Sequence, residues 1–361
     1  MADGHKFEFF QASPRSRSVK PVVAKILSSF LVTVGLLASQ RAAAGPDYLE
    51  RLDVRSFIDA MHEKHGIETT DLERIMAAVR YQPVVVRLTT PMPSSAPSPV
   101  RSYANYRAKF LTPELISTGA RFWMEHAAYL ERAEQEYGVP PEVILGILGV
   151  ETRYGQNTGS FRVIDALATI AFDGARRQDF FRDELEQLLL LAREKGVDPL
   201  SVKGSYAGAV GLPQFMPSSY RRYAVDYDAD GVIDLRGSAA DAIGSVAHYI
   251  REFGWIPGEP PKAPVRLLPG SEADLVSGLD RVHDLLDVQG KGVVFSGREP
   301  PAGPLSIFEL PTPGMPSKFY AGFNNFEVVT RYNRSTFYAS AVLELAEAIR
   351  KAYGQVQVAS N

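Results

Sequence analysis

Glu151 is the residue best suited to acid–base chemistry in this chain. It closes the stretch Val139–Val150, whose only other charge is Glu142. That run is apolar on every side, so a helix built from it belongs in a core. A carboxyl at its end loses hydration and sits near the negative end of the helix dipole, and both effects disfavour ionisation. A carboxyl kept protonated near neutral pH can donate to a glycosidic oxygen. The plainer alternative is an ion pair with Arg153 or another arginine that merely ends the helix. Glycoside hydrolysis normally calls for a second, facing carboxylate. The nearby choices are Asp165, which follows Arg162 on an amphipathic pattern, and Asp173, which begins a turn before Gly174. Both read more simply as solvated or capping aspartates. The sequence therefore offers one good acid and no convincing partner.

A second chemical signal lies in Asp226–Asp234 (DYDADGVID). Asp226, Asp228 and Asp230 alternate, Gly231 allows a tight turn, and Val232 offers its carbonyl, as in the first half of an EF-hand calcium loop. At loop position 12, where a bidentate glutamate is expected, Gly237 stands instead. Asp241, four residues later, closes the shell if the loop is longer. The competing reading is a solvated acidic turn. Three like charges in one turn repel without a cation, and a single copy suits a structural ion better than a sensor. Two more clusters, Gly204–Tyr220 and Arg331–Tyr338, set small residues, amides and hydroxyls beside aromatic faces, a combination that suits a sugar ring.

These residues need elements to hold them. Helical spacing runs over Asp47–Gly66, with Gly66 as C-cap, and over Asp71–Val79. Thr89–Pro99 (TTPMPSSAPSP) can be neither helix nor central strand. A helix follows from Pro113 to about Tyr137, Pro140-Pro141 opens the next, and further helices are expected at Phe161–Ile170, Asp179–Glu194, Ala239–Phe253 and Ser335–Tyr353. Between Pro260 and Pro313 short β-favouring runs (Val265–Leu268, Val293–Phe295) sit among many Gly and Pro. The fold class is thus mainly α with a minor β element. The expected division is a leader over 1–44, a helical region with the Pro-rich loop over 45–138, and a core with the acidic loop over 139–259. A small β insert over 260–315 and a C-terminal part over 316–361 complete it.

Composition bounds the possible functions. The chain has 361 residues, 45% hydrophobic and 22% charged, enough apolar material for a large core and too little charge for disorder. With no cysteine, disulfides, thiolate catalysis and cysteine-based metal sites are excluded. The first 44 residues hold six basic and two acidic side chains, leaving 33 basic against 40 acidic and a net charge of −7. An acidic body argues against nucleic-acid binding, which rests on neutralising phosphates. The leader has a basic opening to Lys25, the apolar run Ile26–Ala38 and small residues at Ala42-Ala43-Ala44-Gly45. That is the pattern of a secretory signal cut after Ala44, too short for a comfortable membrane span. An uncleaved anchor is the alternative. The expected location is periplasmic.

Taken together, Gly149-Val150-Glu151-Thr152-Arg153-Tyr154-Gly155, Asp165–Thr169, Arg176-Arg177, the run from Gly204 to Leu235 and Arg331–Val342 resemble the lytic murein transglycosylases of the B type. The likeness extends from about Ser102 to Tyr353, nearly the whole chain after the leader. It implies a goose-type-lysozyme-like helical core with extra helical and small β pieces. It also implies cleavage of the β-1,4 bond between N-acetylmuramic acid and N-acetylglucosamine, with Glu151 as sole acid and base. Closure of a 1,6-anhydro ring by the substrate itself explains the absent second carboxylate. By motif position, Ser205, Gln214 and Met216 bind sugar near Glu151. Tyr332, Asn333 and Tyr338 shape the opposite wall, and Tyr249 and Arg177 are further candidates. The acidic loop matches a calcium site of Asp226, Asp228, Asp230, Val232 and Asp241. No organic cofactor is implied. The partners implied are peptidoglycan glycan strands, with proteins of cell-wall synthesis as a further class. Two departures stand out. The lipid-anchor cysteine of membrane-bound members is missing, and Tyr154 stands where relatives often carry tryptophan, a swap expected to preserve a stacking face. The same residues leave two rivals open: a hydrolytic muramidase using Glu151 with water, and a non-catalytic glycan-binding scaffold.

Overall fold

The computed structural model describes residues 47–90, 101–271, 275–276, 278–279, 282–297 and 299–360. The expected leader and most of the Pro-rich loop lie outside them. Among the described residues no helix is long and apolar enough to cross a membrane.

The N-terminal part forms α1 (Leu52–His65), α2 (Thr69–Ala77), α3 (Pro83–Thr89), α4 (Tyr103–Arg107), α5 (Pro113–Glu125) and α6 (Ala127–Tyr137). Gly66 closes α1 in the left-handed conformation, φ 59°, as its position suggests. The single helix expected from Pro113 to Tyr137 is instead two, broken at His126, where φ is −122° and ψ 23°. The break carries neither proline nor glycine, so the local sequence gave no sign of it. The middle part holds α7 (Pro141–Thr152), α8 (Val163–Asp173), α9 (Gln178–Lys195), α10 (Pro217–Tyr223) and α11 (Ala239–Glu252). Two short strands, β1 (Phe161–Arg162) and β2 (Lys203–Gly204), pair antiparallel before α8, so the helix expected from Phe161 begins two residues late. The last part holds β3 (Lys262–Leu267), β4 (His283–Asp284), α12 (Leu285–Gly290), β5 (Val293–Phe295), β6 (Pro304–Leu310), β7 (Lys318–Gly322), α13 (Asn324–Tyr332) and α14 (Thr336–Ser360). Its strands form an antiparallel sheet in the order β4-β6-β7-β3-β5.

Three apolar cores hold these elements. α7 is the centre of the largest, with Ile144, Leu145, Ile147 and Leu148 fully buried. Each such side chain contributes about 1.5–3 kcal/mol of burial. α14 runs antiparallel along it, and the two backbones nearly touch at Gly146, where a Cβ would fall 2.5 Å from the Val342 carbonyl oxygen. That approach needs glycine. α5, α6, α11 and α13 complete this core. A second core joins α1–α3 to α8 and α9, and a third lies under the sheet. Packing therefore crosses the divisions drawn along the chain: α5 and α6 share the core of α7, and the sheet takes in β7 beyond residue 315.

Candidate active site

The antiparallel pairing of α7 and α14 brings the C-terminal turn of one against the N-terminal turn of the other. Glu151 stands in the first of these turns, half-buried, and Tyr338 in the second, 2% exposed. The Tyr338 hydroxyl donates to Glu151 Oε1 at 2.6 Å. Burial first, then the Glu151 charge, push the Tyr338 hydroxyl well above its ordinary range, so it stays a donor. Tyr332 and Tyr249 stand close enough that the Glu151 charge raises both as well, after burial as the main cause. The Tyr332 hydroxyl donates to the Pro213 carbonyl at 2.7 Å and that of Tyr249 to the Arg331 carbonyl at 2.9 Å. Their rings meet edge to face, with centroids 4.9 Å apart.

The 204–216 loop packs against these tyrosines, with the Phe215 ring centre 5.5 Å from that of Tyr249 and 5.9 Å from that of Tyr332. Thr152, fully buried, ties it to α7 through a 2.8 Å bond to the Leu212 carbonyl, and its Oγ1 also accepts from the Gly155 N–H at 3.0 Å. Gln214 sits in the left-handed region at φ 52°, with Nε2 on the Gly211 carbonyl at 2.9 Å. Ser205 is buried and accepts from the Ala209 N–H at 3.0 Å. Met216, half-buried, precedes α10. Arg153 and Tyr154 are also left-handed, at φ 53° and 59°. Such strain in non-glycine residues is tolerated only where the surroundings over-determine it. Asn333, half-buried, ends α13. Arg177 is exposed at the start of α9, its guanidinium 4.1 Å from the Phe180 ring centre. That contact lies at the start of its own helix and not at Glu151.

Tyr154 is turned into the core. Its left-handed backbone turns the phenol inward, so that a Cβ on Gly119 or Gly149 would fall 2.4 or 2.7 Å from its hydroxyl oxygen. The ring packs on Phe122 at 5.3 Å. Both rival carboxylates are bound elsewhere. Asp165 takes Arg162 at 2.6 and 2.8 Å together with the Arg80 N–H, and Asp173 takes Arg51 at 2.6 Å and the Tyr48 hydroxyl at 3.0 Å. Two buried polar residues escaped the sequence analysis. Thr152 is one. Glu184 is the other: it is 4% exposed and accepts from the Ser218 N–H at 2.9 Å and hydroxyl at 2.7 Å, capping α10 from a neighbouring helix. Its place on the apolar stripe Phe181, Leu185, Leu188 was the available signal.

In the acidic loop, one carboxylate oxygen from each of Asp226, Asp228 and Asp230 lies within 4.8 Å of the others. The loop is folded by its own acceptors: Asp226 takes the Asp230 and Gly231 N–H groups, and Asp230 takes that of Val232. Asp241 differs. It is fully buried, with one oxygen on the Tyr227 N–H and the other on the Asp234 N–H, both at 2.7 Å. It anchors the two ends of the loop from behind, and is not among the three that converge.

A family model described as the transglycosylase SLT domain matches residues 50–347. The chain belongs to this family. Membrane-bound lytic murein transglycosylase B of Escherichia coli K12 is 39% identical over 318 residues, 84% of either chain. Among solved structures, the E. coli lytic transglycosylase Slt35 in complex with calcium is 39% identical, covers 86% of this chain and 96% of its own, and superposes with a TM-score of 0.77. SltB3 of Pseudomonas aeruginosa in complex with NAG-NAM-pentapeptide is 31% identical, with 82% and 79% covered and a TM-score of 0.69. This SLT transglycosylase is thus a lysozyme-like, mainly helical enzyme, a lytic transglycosylase acting on peptidoglycan.

Proposed function

We propose that Glu151 serves as both acid and base in cleaving the β-1,4 bond between N-acetylmuramic acid and N-acetylglucosamine. It gives its proton to the bridging oxygen as the bond to the muramoyl C1 breaks, and the substrate's own N-acetyl carbonyl stabilises the positive charge developing there. The muramoyl C6 hydroxyl oxygen then bonds to C1 and returns its proton to Glu151. The ring closes as a 1,6-anhydro product, and no water is consumed. The observation that carries this is the pairing of Glu151 with the Tyr338 donor while Asp165 and Asp173 are both held by arginines. With Asp165 and Asp173 held in this way, a hydrolytic muramidase is the less favoured course. Ser205, Gln214, Met216, Tyr249, Tyr332 and Asn333 are the proposed sugar contacts, with Tyr338 orienting Glu151 and Arg177 at the rim.

Three further elements belong to the proposal. The converging carboxylates of Asp226, Asp228 and Asp230 fit a hard divalent cation, with Val232 as the carbonyl donor and Asp241 bracing the loop; calcium there would be structural. The leader supports export to the periplasm. The partner is a peptidoglycan strand carrying peptide stems, with cell-wall synthesis proteins as a further class. Mass analysis of fragments released from purified murein tests the chemistry. Anhydro products are expected, and fragments heavier by one water would establish the hydrolase instead.

A further inference from the structure

The residue after Glu151 is a threonine, and it does something different with its oxygen. Successive helical side chains point about 100° apart, so while Glu151 meets Tyr338, Thr152 turns into the core and is fully buried. Its Oγ1 donates to the Leu212 carbonyl at 2.8 Å and accepts from the Gly155 N–H at 3.0 Å. The Leu148 carbonyl one turn back, where a helical threonine ordinarily bonds, is 3.4 Å away. A hydroxyl has one proton to give, and the shorter contact directs it to another segment of the chain. Leu212 is held from its other side as well, its N–H on the Leu235 carbonyl at 2.7 Å, just beyond the acidic loop. The segments lie close at both points. A Cβ on Gly155, φ 88°, would fall 3.3 Å from the Leu212 side chain, and one on Gly211, φ 75°, 2.4 Å from the Leu235 carbonyl oxygen.

Three successive carbonyls of this loop are each taken by a different side chain. Gly211 accepts from Gln214 Nε2 at 2.9 Å, Leu212 from Thr152, and Pro213 from the Tyr332 hydroxyl at 2.7 Å. The first bond stays within the loop, and the third comes from α13. The second comes from α7, and from the very residue that follows Glu151. Valine has nearly the shape of threonine but cannot donate. At position 152 it would leave the buried Leu212 carbonyl to seek another partner, at the expense of where the loop lies.

We propose that Thr152 is a positioning residue for the reaction: its hydroxyl fixes the 211–215 corner, and with it the sugar held by Gln214, at the distance from Glu151 that proton transfer needs. The proposal rests on the function given above and adds what sets that distance. The test measures kcat and KM for release of anhydro product from solubilised glycan strands, at a temperature below the Tm of every variant. Thr152→Val should lower kcat about ten- to a hundredfold with KM little changed, because sugar on a displaced corner is still bound but out of reach of the acid. Thr152→Ser keeps the hydroxyl and loses only a methyl, so its kcat should stay near that of wild type. Thr152→Ala should fall with Thr152→Val. The serine and alanine variants differ by the hydroxyl alone, so they decide the question even where Thr152→Val does not fold. A packing role gives the opposite order, with Thr152→Val near wild type and Thr152→Ser impaired. That order, equal kcat for Thr152→Ser and Thr152→Ala, or a loss confined to KM overturns the role of Thr152 while leaving the enzyme's chemistry intact. Failure of wild type to release anhydro product overturns the function itself.

Discussion

The cleft and the acidic loop use the same functional group in opposite ways. At Glu151 one carboxylate is half-buried at the end of an apolar helix, with a tyrosine hydroxyl 2.6 Å away and two further tyrosines close enough to feel its charge. At Asp226, Asp228 and Asp230 three carboxylates crowd together, two of them exposed, and backbone N–H groups take up part of their capacity. In the proposed function the first arrangement lets a proton come and go, and the second concentrates charge that a cation would relieve. Burial by itself distinguishes neither, because Asp165 and Glu184 are more buried than Glu151 and each is engaged with fixed donors. What sets Glu151 apart is a neutral tyrosine hydroxyl aimed at it, with two more tyrosines near enough to feel its charge.

The sharpest way to break this contrast is Glu151→Gln. It keeps shape and removes the proton, so release of anhydro products should fall about 10³-fold with the fold intact by circular dichroism. Asp165→Asn should instead lower stability by about 3 kcal/mol by stranding Arg162, without a comparable loss of turnover in the folded fraction. A loss under tenfold for Glu151→Gln, or an equal loss for Asp165→Asn, would end the claim of a sole acid. Tyr338→Phe comes next. Deleting a donor to a carboxylate should lower kcat about ten- to a hundredfold. Removing a donor that favours the charged form should move the alkaline limb of the rate profile to higher pH. A profile that stays in place would mean that Tyr338 only fills space.

The loop is tested by calcium itself. At a hundredfold excess over its dissociation constant, a bound ion contributes about 2.7 kcal/mol, or roughly 4 °C in Tm for a chain of this size. Wild type should melt that much higher in calcium than in chelator, and Asp228→Ala should erase the difference. Equal melting temperatures in calcium and chelator for wild type would reduce the loop to a solvated turn.

Much of this was legible because single residues carried it. Gly66 marked a helix end, and Val139–Val150 marked a buried helix whose last turn holds Glu151. The sheet was only half legible. Val265–Leu268 and Val293–Phe295 gave themselves away, but β6 pairs on both edges and buries Leu305, Ile307, Phe308 and Leu310, so it lacks the alternation that announces a strand. Tyr154 was misjudged because residue type says what a ring can do and backbone conformation says where it goes. Two consecutive left-handed residues turn it into the α5–α7 interface. Asp241 shows the same limit: spacing brought it to the loop, but only the fold puts a backbone N–H on each of its oxygens.

The smallest expected effect concerns Glu184, a third way of treating a carboxylate. Burial raises its pKa above the ordinary glutamate range, and the Ser218 hydroxyl and N–H pull the other way without cancelling the rise. The native state therefore holds this proton more tightly than the unfolded chain does. As pH climbs from about 4.3, the unfolded chain releases the proton first, so this group makes stability fall with rising pH through that window. Glu184→Gln should remove that component: plotted against pH, the difference in Tm between variant and wild type should grow in the variant's favour, by less than the calcium effect. Ser218→Ala should steepen the wild-type fall, because it removes a donor that favours the charged form. A difference between Glu184→Gln and wild type that is flat in pH would mean that Glu184 titrates alike in both states, and that capping α10 carries no electrostatic cost.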